Sequence, residues 1–233
     1  MAGFAKPIVT VDVALLTLKG GELHTVLVLR DKEPREGEWT LPGGSIDVDE
    51  DQDALGAAQR ILRTKAGVES PYLEQLETFA SRHRDRRGWS VSIGYYALVP
   101  YADIQAQDRG RGLLRWRAVD EIRSLPFDHL QILHAAVARV RSKTLYSSLP
   151  VHLMPATFTL RELQEVYEQL LDAKLDKRSF RRRIEELGVV EKATRNAVKA
   201  ADRPAHAHRP AQLFQRRRHR ELVTSDRNLG IKG

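Results

Sequence analysis

The order of predicted elements divides the chain into two modules. A mixed α/β module spans residues 1–148 and a smaller α+β module spans 149–225, ahead of a polar tail, 226–233. Three observations predict this. Strand-length apolar runs alternate with two amphipathic helix patterns in the first part. The second part reads helix, turn, basic helix and two short strands. The charge divides at the same place: residues 1–148 balance 20 basic against 20 acidic side chains, whereas 149–233 carry 18 basic and 11 acidic, so the whole net charge of +7 lies in the second part. A neutral module joined to a basic one assigns any contact with a polyanion to the second.

Composition narrows the function classes. With 233 residues, 42% hydrophobic and 30% charged side chains, the chain can bury real cores and is not a disordered polyelectrolyte. Its apolar runs, such as Val26–Leu29, are strand-sized and cannot span a bilayer, so no membrane contact is expected. The absence of cysteine excludes disulfides, thiolate zinc sites, iron–sulfur clusters and cysteine nucleophiles. Met1–Lys6 lacks the apolar stretch and cleavage site of a secretory leader, and a cytoplasmic location is expected.

Residues 8–18 are β-branched and apolar and predict a strand. Gly20-Gly21 then turns the chain into a second strand, Thr25–Leu29, to make a hairpin. The polar loop from Arg30 to Gly37 leads to a short strand ending in Gly43-Gly44. An acidic stretch, Asp47–Asp53, precedes a helix over Ala54–Lys65 with Leu55, Ala58 and Leu62 at helical spacing, stopped by Gly67. Tyr72–Phe79 and Trp89–Pro100 predict strands around the basic loop Arg82–Gly88. Leu113–Val119 is a further strand, and a helix runs over about 129–145. Pro150–Pro155 joins the modules. Thr159-Leu-Arg-Glu162 is a capping box that opens a helix with one apolar stripe. Asp176 caps a second helix ending at Gly188. Val189–Lys192 and Gln212–Gln215 predict a two-stranded ribbon around a long polar loop. That order is a winged helix-turn-helix.

In the second helix Phe180, Ile184 and Leu187 form the inward stripe, and Arg178, Arg181 and Arg182 project on the opposite side, flanked by Lys177 and Arg183. Three guanidinium groups on one outward face suit a helix that enters the major groove, where arginine reads guanine and clamps phosphates. These five residues, with Arg209 in the wing, are the expected DNA contacts; Thr159 serves as the cap.

At Gly37-Glu-Trp-Thr-Leu-Pro-Gly-Gly44 the first module resembles the Nudix hydrolases, which implies an α/β/α sandwich. In that family the following helix carries R-E-x-x-x-E-E-x-G, whose glutamates hold magnesium against a nucleoside diphosphate. Here Arg60 and Gly67 match, but the carboxylate positions fall on Ile61, Thr64 and Lys65, and an earlier one on Gln52. Magnesium needs hard anionic oxygen ligands. The resemblance therefore implies a retained pocket without a metal, without catalytic residues and without hydrolysis. The Lys65 ammonium either stands where the metal would, against a pyrophosphate, or pairs with an acidic neighbour on the surface. Arg30 falls where the family often places a phosphate-contacting arginine. Trp39 either stacks on a base or lies in the core. The loop arginines Arg82 and Arg84 complete the expected ligand contacts. The acidic run Asp47–Asp51 is read as a solvated loop that favours the next helix N-terminus, rather than as a replacement metal site.

Over residues 8 to about 215 the chain is similar to the NrtR family, Nudix-related transcriptional regulators of NAD metabolism. The marks are Leu62–Gly67, Tyr72–Phe79, Arg84–Gly88, Tyr96–Pro100, Phe158–Tyr167, Leu175–Arg182 and Arg209–Phe214, in that order. The resemblance implies a homodimeric repressor of NAD-biosynthesis or salvage genes, a palindromic double-stranded DNA operator, and ADP-ribose or a related nucleotide as the effector that releases DNA. The helix over 129–145 and the neutral first module are the candidate dimer surfaces. The alternative is an active Nudix ADP-ribose pyrophosphatase with a basic nucleic-acid-binding appendage.

Overall fold

The computed structural model describes residues 6–69, 72–108, 114–194, 212–217 and 222–224. The chain forms two compact units, Met1–Arg139 and Val140–Gly233. Among the described residues the first unit is built on one mixed seven-stranded sheet. Its strands are β1 (Ile8–Lys19), β2 (Glu22–Leu29), β3 (Trp39–Thr40), β4 (Gly43–Ser45), β5 (Tyr72–Ser81), β6 (Ser90–Leu98) and β7 (Leu114–Ala118). The path is β3-β2-β1-β6-β5, with β4 on β1 and β7 on β2. The central pair is parallel, Ile8 opposite Ser90 through Leu16 opposite Leu98, and the other pairs are antiparallel.

Period-two alternation sorts β1 between two layers. Val11, Val13 and Leu15 join Ala57, Ala58, Ile61 and Leu62 in one apolar core. The intervening Asp12 faces the other side, toward His129. The first layer contains α1 (Ala54–Ile61), which the Asp53 carboxylate caps by accepting the Gly56 N–H at 2.7 Å. A single π turn, Leu62–Ala66, continues α1. Gly67 closes it in the left-handed region (φ 66), with its N–H bonded to the Leu62 carbonyl. The predicted helix through Lys65 is therefore present, but its last turn is π rather than α. A short helix α2 (Tyr101–Asp108), which no sequence pattern marked, follows β6. On the other side lies α3 (His129–Thr144), with Ile132, Leu133 and Ala136 fully buried.

In the second unit the predicted order is present. The capping box at Thr159 opens α4 (Leu160–Leu171): the Glu162 N–H bonds the Thr159 hydroxyl at 3.1 Å, and Glu162 accepts the Thr159 N–H at 2.6 Å. The Asp176 side chain accepts the Ser179 N–H at 2.9 Å and caps α5 (Lys177–Leu187), which Gly188 ends in the left-handed region. Strands β8 (Val190–Lys192) and β9 (Phe214–Arg216) pair antiparallel, and Phe158 bridges to Phe214, giving the ribbon a third partner. Phe158, Leu163, Tyr167, Phe180, Ile184 and Leu187 share the core. Among the described residues no helix is long and apolar enough to cross a membrane.

Candidate functional site

Asp12 is the buried centre of the first unit's site. It lies on the face of β1 away from α1, where the Ser92 hydroxyl donates to it at 2.6 Å and Arg84 Nη2 at 3.2 Å. Its other oxygen lies 3.4 Å from His129 Nε2. His129 Nδ1 accepts the Leu41 N–H at 3.2 Å, which leaves the imidazole proton on Nε2, toward Asp12. Burial opposes the Asp12 charge, but His129, Ser92 and Arg84 outweigh it and hold the carboxyl at about 2. Gly43 permits this crowding, because a methyl group there would overlap the Asp12 carboxylate. Arg84 completes the cluster with two parallel bonds to Asp128, at 2.9 and 3.0 Å.

Above this cluster opens a cavity of about 310 Å³, lined among others by the basic Arg30, Lys32, Lys65 and Arg87, the acidic Asp31, Glu33 and Asp85, and Phe127. Lys65 reaches it from the π turn. Burial lowers the ammonium pKa, Arg30 and Lys32 lower it further, and Asp31 and Asp12 act against them. Arg30 is held by its own loop: Nε donates to the Pro34 carbonyl at 2.9 Å, and the guanidinium lies 5.1 Å from the Phe127 ring. Phe127 takes a left-handed backbone (φ 59), a conformation that bulky residues rarely adopt and that often marks functional loops. Basic side chains grouped in this way form an environment for a ligand's phosphates.

The expected ligand contacts are not all brought together. Arg30 and Lys65 line the cavity, and so does Arg84, but the Arg84 guanidinium is already engaged by Asp12 and Asp128. Trp39 lies elsewhere. Its register opposite Leu29 sets it beside Leu27 and Arg115 in a separate groove, with the Arg115 guanidinium 4.2 Å above the indole. Arg82 is exposed and does not line the cavity. Sequence reasoning missed Phe127 and His129. The signal was the run Pro126-Phe-Asp-His129 at a helix start, which pattern alone reads as punctuation.

The positions that align with the Nudix carboxylates are occupied as follows. Ile61 is 1% exposed, in the core against Gly44. The Thr64 hydroxyl donates to the Arg60 carbonyl at 2.8 Å. Arg60 forms a bidentate pair with Asp51 at 2.7 and 2.6 Å, and this pair holds the Asp51 carboxyl at about 2. Asp47 accepts the N–H groups of Asp49 and Glu50 within the acidic loop. Among the described residues no group of three or more His, Asp or Glu side chains is placed to hold a metal ion.

In the second unit Lys177, Arg178, Arg181 and Arg182 are exposed on α5, while Phe180, Ile184 and Leu187 are buried. Arg183 corrects the expected set: it is 3% exposed. It stands at the flank of the Phe180, Ile184 and Leu187 stripe, and that flank packs against the segment carrying Leu145, whose carbonyl Nη2 approaches at 3.5 Å. Among the described residues Arg182 forms a loose i,i+4 pair with Glu186 at 4.0 Å, both exposed, which holds its guanidinium weakly. Arg209 lies outside the described residues.

Comparisons with known proteins agree with both halves. Residues 6–143 match the NUDIX domain and residues 150–215 the NrtR DNA-binding winged helix domain. The chain is 40% identical over 208 residues, 88% of its length and 83% of the relative's, to the ADPR responsive transcriptional repressor NtrR of Acinetobacter baylyi. It superposes on Shewanella oneidensis NrtR complexed with a 27mer DNA with a TM-score of 0.81 at 36% identity, over 90% of this chain and 93% of that one. The NUDIX domain of the same Shewanella protein, complexed with ADP ribose, matches at 37% identity with a TM-score of 0.54, over 59% of this chain and 90% of that one. With the NUDIX match alone covering more than half of the chain and a whole-length relative at this identity, the chain belongs to the NrtR family of Nudix-domain transcriptional regulators.

Proposed function

We propose that the protein is a repressor that binds a palindromic operator of NAD-biosynthesis or salvage genes as a homodimer, and that ADP-ribose or a related nucleotide in the first unit's cavity releases it. The observation that carries this reading is the outward row of Arg178, Arg181 and Arg182 on a helix capped at both ends. One such helix reads only a few base pairs, so a two-fold pair of helices on a two-fold site supplies the missing specificity. The effector reading is supported by Arg30, Lys32 and Lys65 in the cavity lining and by the ADP-ribose complex of the Shewanella domain.

The same geometry supports binding without hydrolysis. Magnesium would meet a core isoleucine, a hydroxyl turned to the backbone and an ammonium at Ile61, Thr64 and Lys65. That donor set does not fit a hard dication, and no metal-dependent step is derived for this site. Lys65 instead supplies fixed positive charge where a diphosphate would lie. Operator binding measured with and without ADP-ribose, with the nucleotide recovered and analysed afterwards, tests the reading: release with the nucleotide intact supports it, and turnover would favour a pyrophosphatase.

A further inference from the structure

Tyr167 and Arg183 face inward from α4 and α5, and both are buried. Tyr167, on α4, is fully buried. Its hydroxyl donates to the Ser147 carbonyl at 3.0 Å, and its ring meets Phe180 of α5 edge to face at 5.3 Å. Arg183, one turn after Phe180, brings Nη2 to 3.5 Å from the Leu145 carbonyl. Leu145 and Ser147 belong to the segment that leaves α3, where the chain is no longer helical and its carbonyls need donors from other elements. That segment is also fixed elsewhere in the second unit. The Ser148 N–H donates to the Val223 carbonyl at 2.9 Å, and the Val223 N–H to the Ser148 hydroxyl at 3.1 Å. Further along, Val151 and Met154 share the core with Phe180 and Ile184.

The first residue of α3, His129, lines the effector cavity, and Asp128 immediately precedes it. Asp128 holds Arg84, and His129 faces Asp12. A single helix therefore begins in the cavity wall, and side chains that back α5 hold the carbonyls beyond its end.

We propose that Tyr167 and Arg183 are positioning residues that couple α5 to the segment leaving α3, so that a displacement of α3 driven by the effector is delivered to Arg178, Arg181 and Arg182. The proposal rests on the effector reading given under Proposed function. A buried donor cannot drift from its carbonyl without an unsatisfied group as the cost, and a close-packed core shifts between discrete arrangements rather than stretching. Burial of the Arg183 guanidinium, which lowers its pKa despite nearby Tyr167 and Glu186, adds to the penalty for a loose geometry. If the Leu145–Ser147 segment moves, α5 moves with it or those contacts break.

The test uses the full chain, as parent and as Tyr167→Phe and Arg183→Met. Three quantities are measured: ADP-ribose affinity of the free protein, operator affinity without ADP-ribose, and operator affinity at saturating ADP-ribose. The ratio of the two operator affinities is the coupling factor. Tyr167→Phe is expected to reduce that factor to less than half of the parent's on a logarithmic scale, with ADP-ribose affinity within about twofold of the parent's. Arg183→Met should act in the same direction. If it does not fold, Tyr167→Phe, which removes a single oxygen, decides the matter. A merely structural role would lower Tm and weaken operator binding equally with and without ADP-ribose; an unchanged coupling factor of that kind overturns the proposal. A parent that binds operator but does not respond to ADP-ribose overturns the effector reading and the coupling with it.

Discussion

Lys65 and Asp12 bring opposite charges to the lining of the cavity. Lys65 occupies a position where the Nudix pattern has a carboxylate, and a substitution that restores the carboxylate there puts an anion against the ligand's phosphates. Lys65→Glu should weaken ADP-ribose binding by roughly tenfold or more, about 1.4 kcal/mol, as read by calorimetry, and unchanged affinity would place Lys65 outside the binding site. Asp12 is ionised inside the fold, with its carboxyl held at about 2. Its folded pKa is depressed, so its contribution to stability is complete above the unfolded value of about 3.9 and is lost as the pH falls toward the folded one. The first unit should therefore lose roughly 2 kcal/mol of stability between about pH 4 and pH 2 through this group. Asp12→Asn should remove that acid sensitivity and lower Tm at pH 7, where it leaves Arg84 and His129 without their shared anion; a pH profile identical to the parent's would contradict this. The place of Lys65 in the cavity lining was legible from its position in a motif. The roles of Arg84 and Trp39 were not, because they depend on partners far away in sequence: Asp128 for the first, Arg115 across the sheet for the second.

The helices show where periodicity succeeds and where it falls short. Capping chemistry fixed both ends of α5, and the apolar stripe of Phe180, Ile184 and Leu187 fixed its inward face. Helical projection sets Arg183 at the flank of that stripe, and its burial depends on a tertiary contact, the Leu145 carbonyl, that periodicity does not show. The π turn after α1 had no sequence signal beyond Gly67, and α2 has almost no amphipathic pattern to reveal it. Functional division within α5 follows from exposure. Arg178→Ala or Arg182→Ala should cost roughly 1–3 kcal/mol in operator binding and relax base preference if the residue reads a base. If it contacts phosphate alone, binding to operator and scrambled DNA should weaken alike, with the salt slope reduced by about one. Titrations of both variants on both DNAs at several salt concentrations separate these cases, and parental affinity in both variants at every salt would remove α5 from the DNA interface.

Across the whole molecule, the uneven charge and the order of elements made the two-part architecture legible, since each part shows its own apolar pattern and only the second is basic. The structural units meet at Arg139 and Val140, inside α3, rather than after the helix. A helix that is continuous in sequence gives no composition shift to mark such a boundary. The central proposal is that occupation of the first unit's cavity alters operator binding by the second unit without chemistry on the ligand. The most direct measurement is the affinity of the full chain for a palindromic operator from an NAD-biosynthesis promoter, at fixed salt and with magnesium present, across a titration of ADP-ribose whose integrity is checked at the end. The account predicts that operator affinity falls as ADP-ribose rises and that the nucleotide is recovered whole. Operator affinity indifferent to saturating ADP-ribose, or conversion of the nucleotide at ordinary enzyme rates of about 1 s⁻¹ or more, would contradict it.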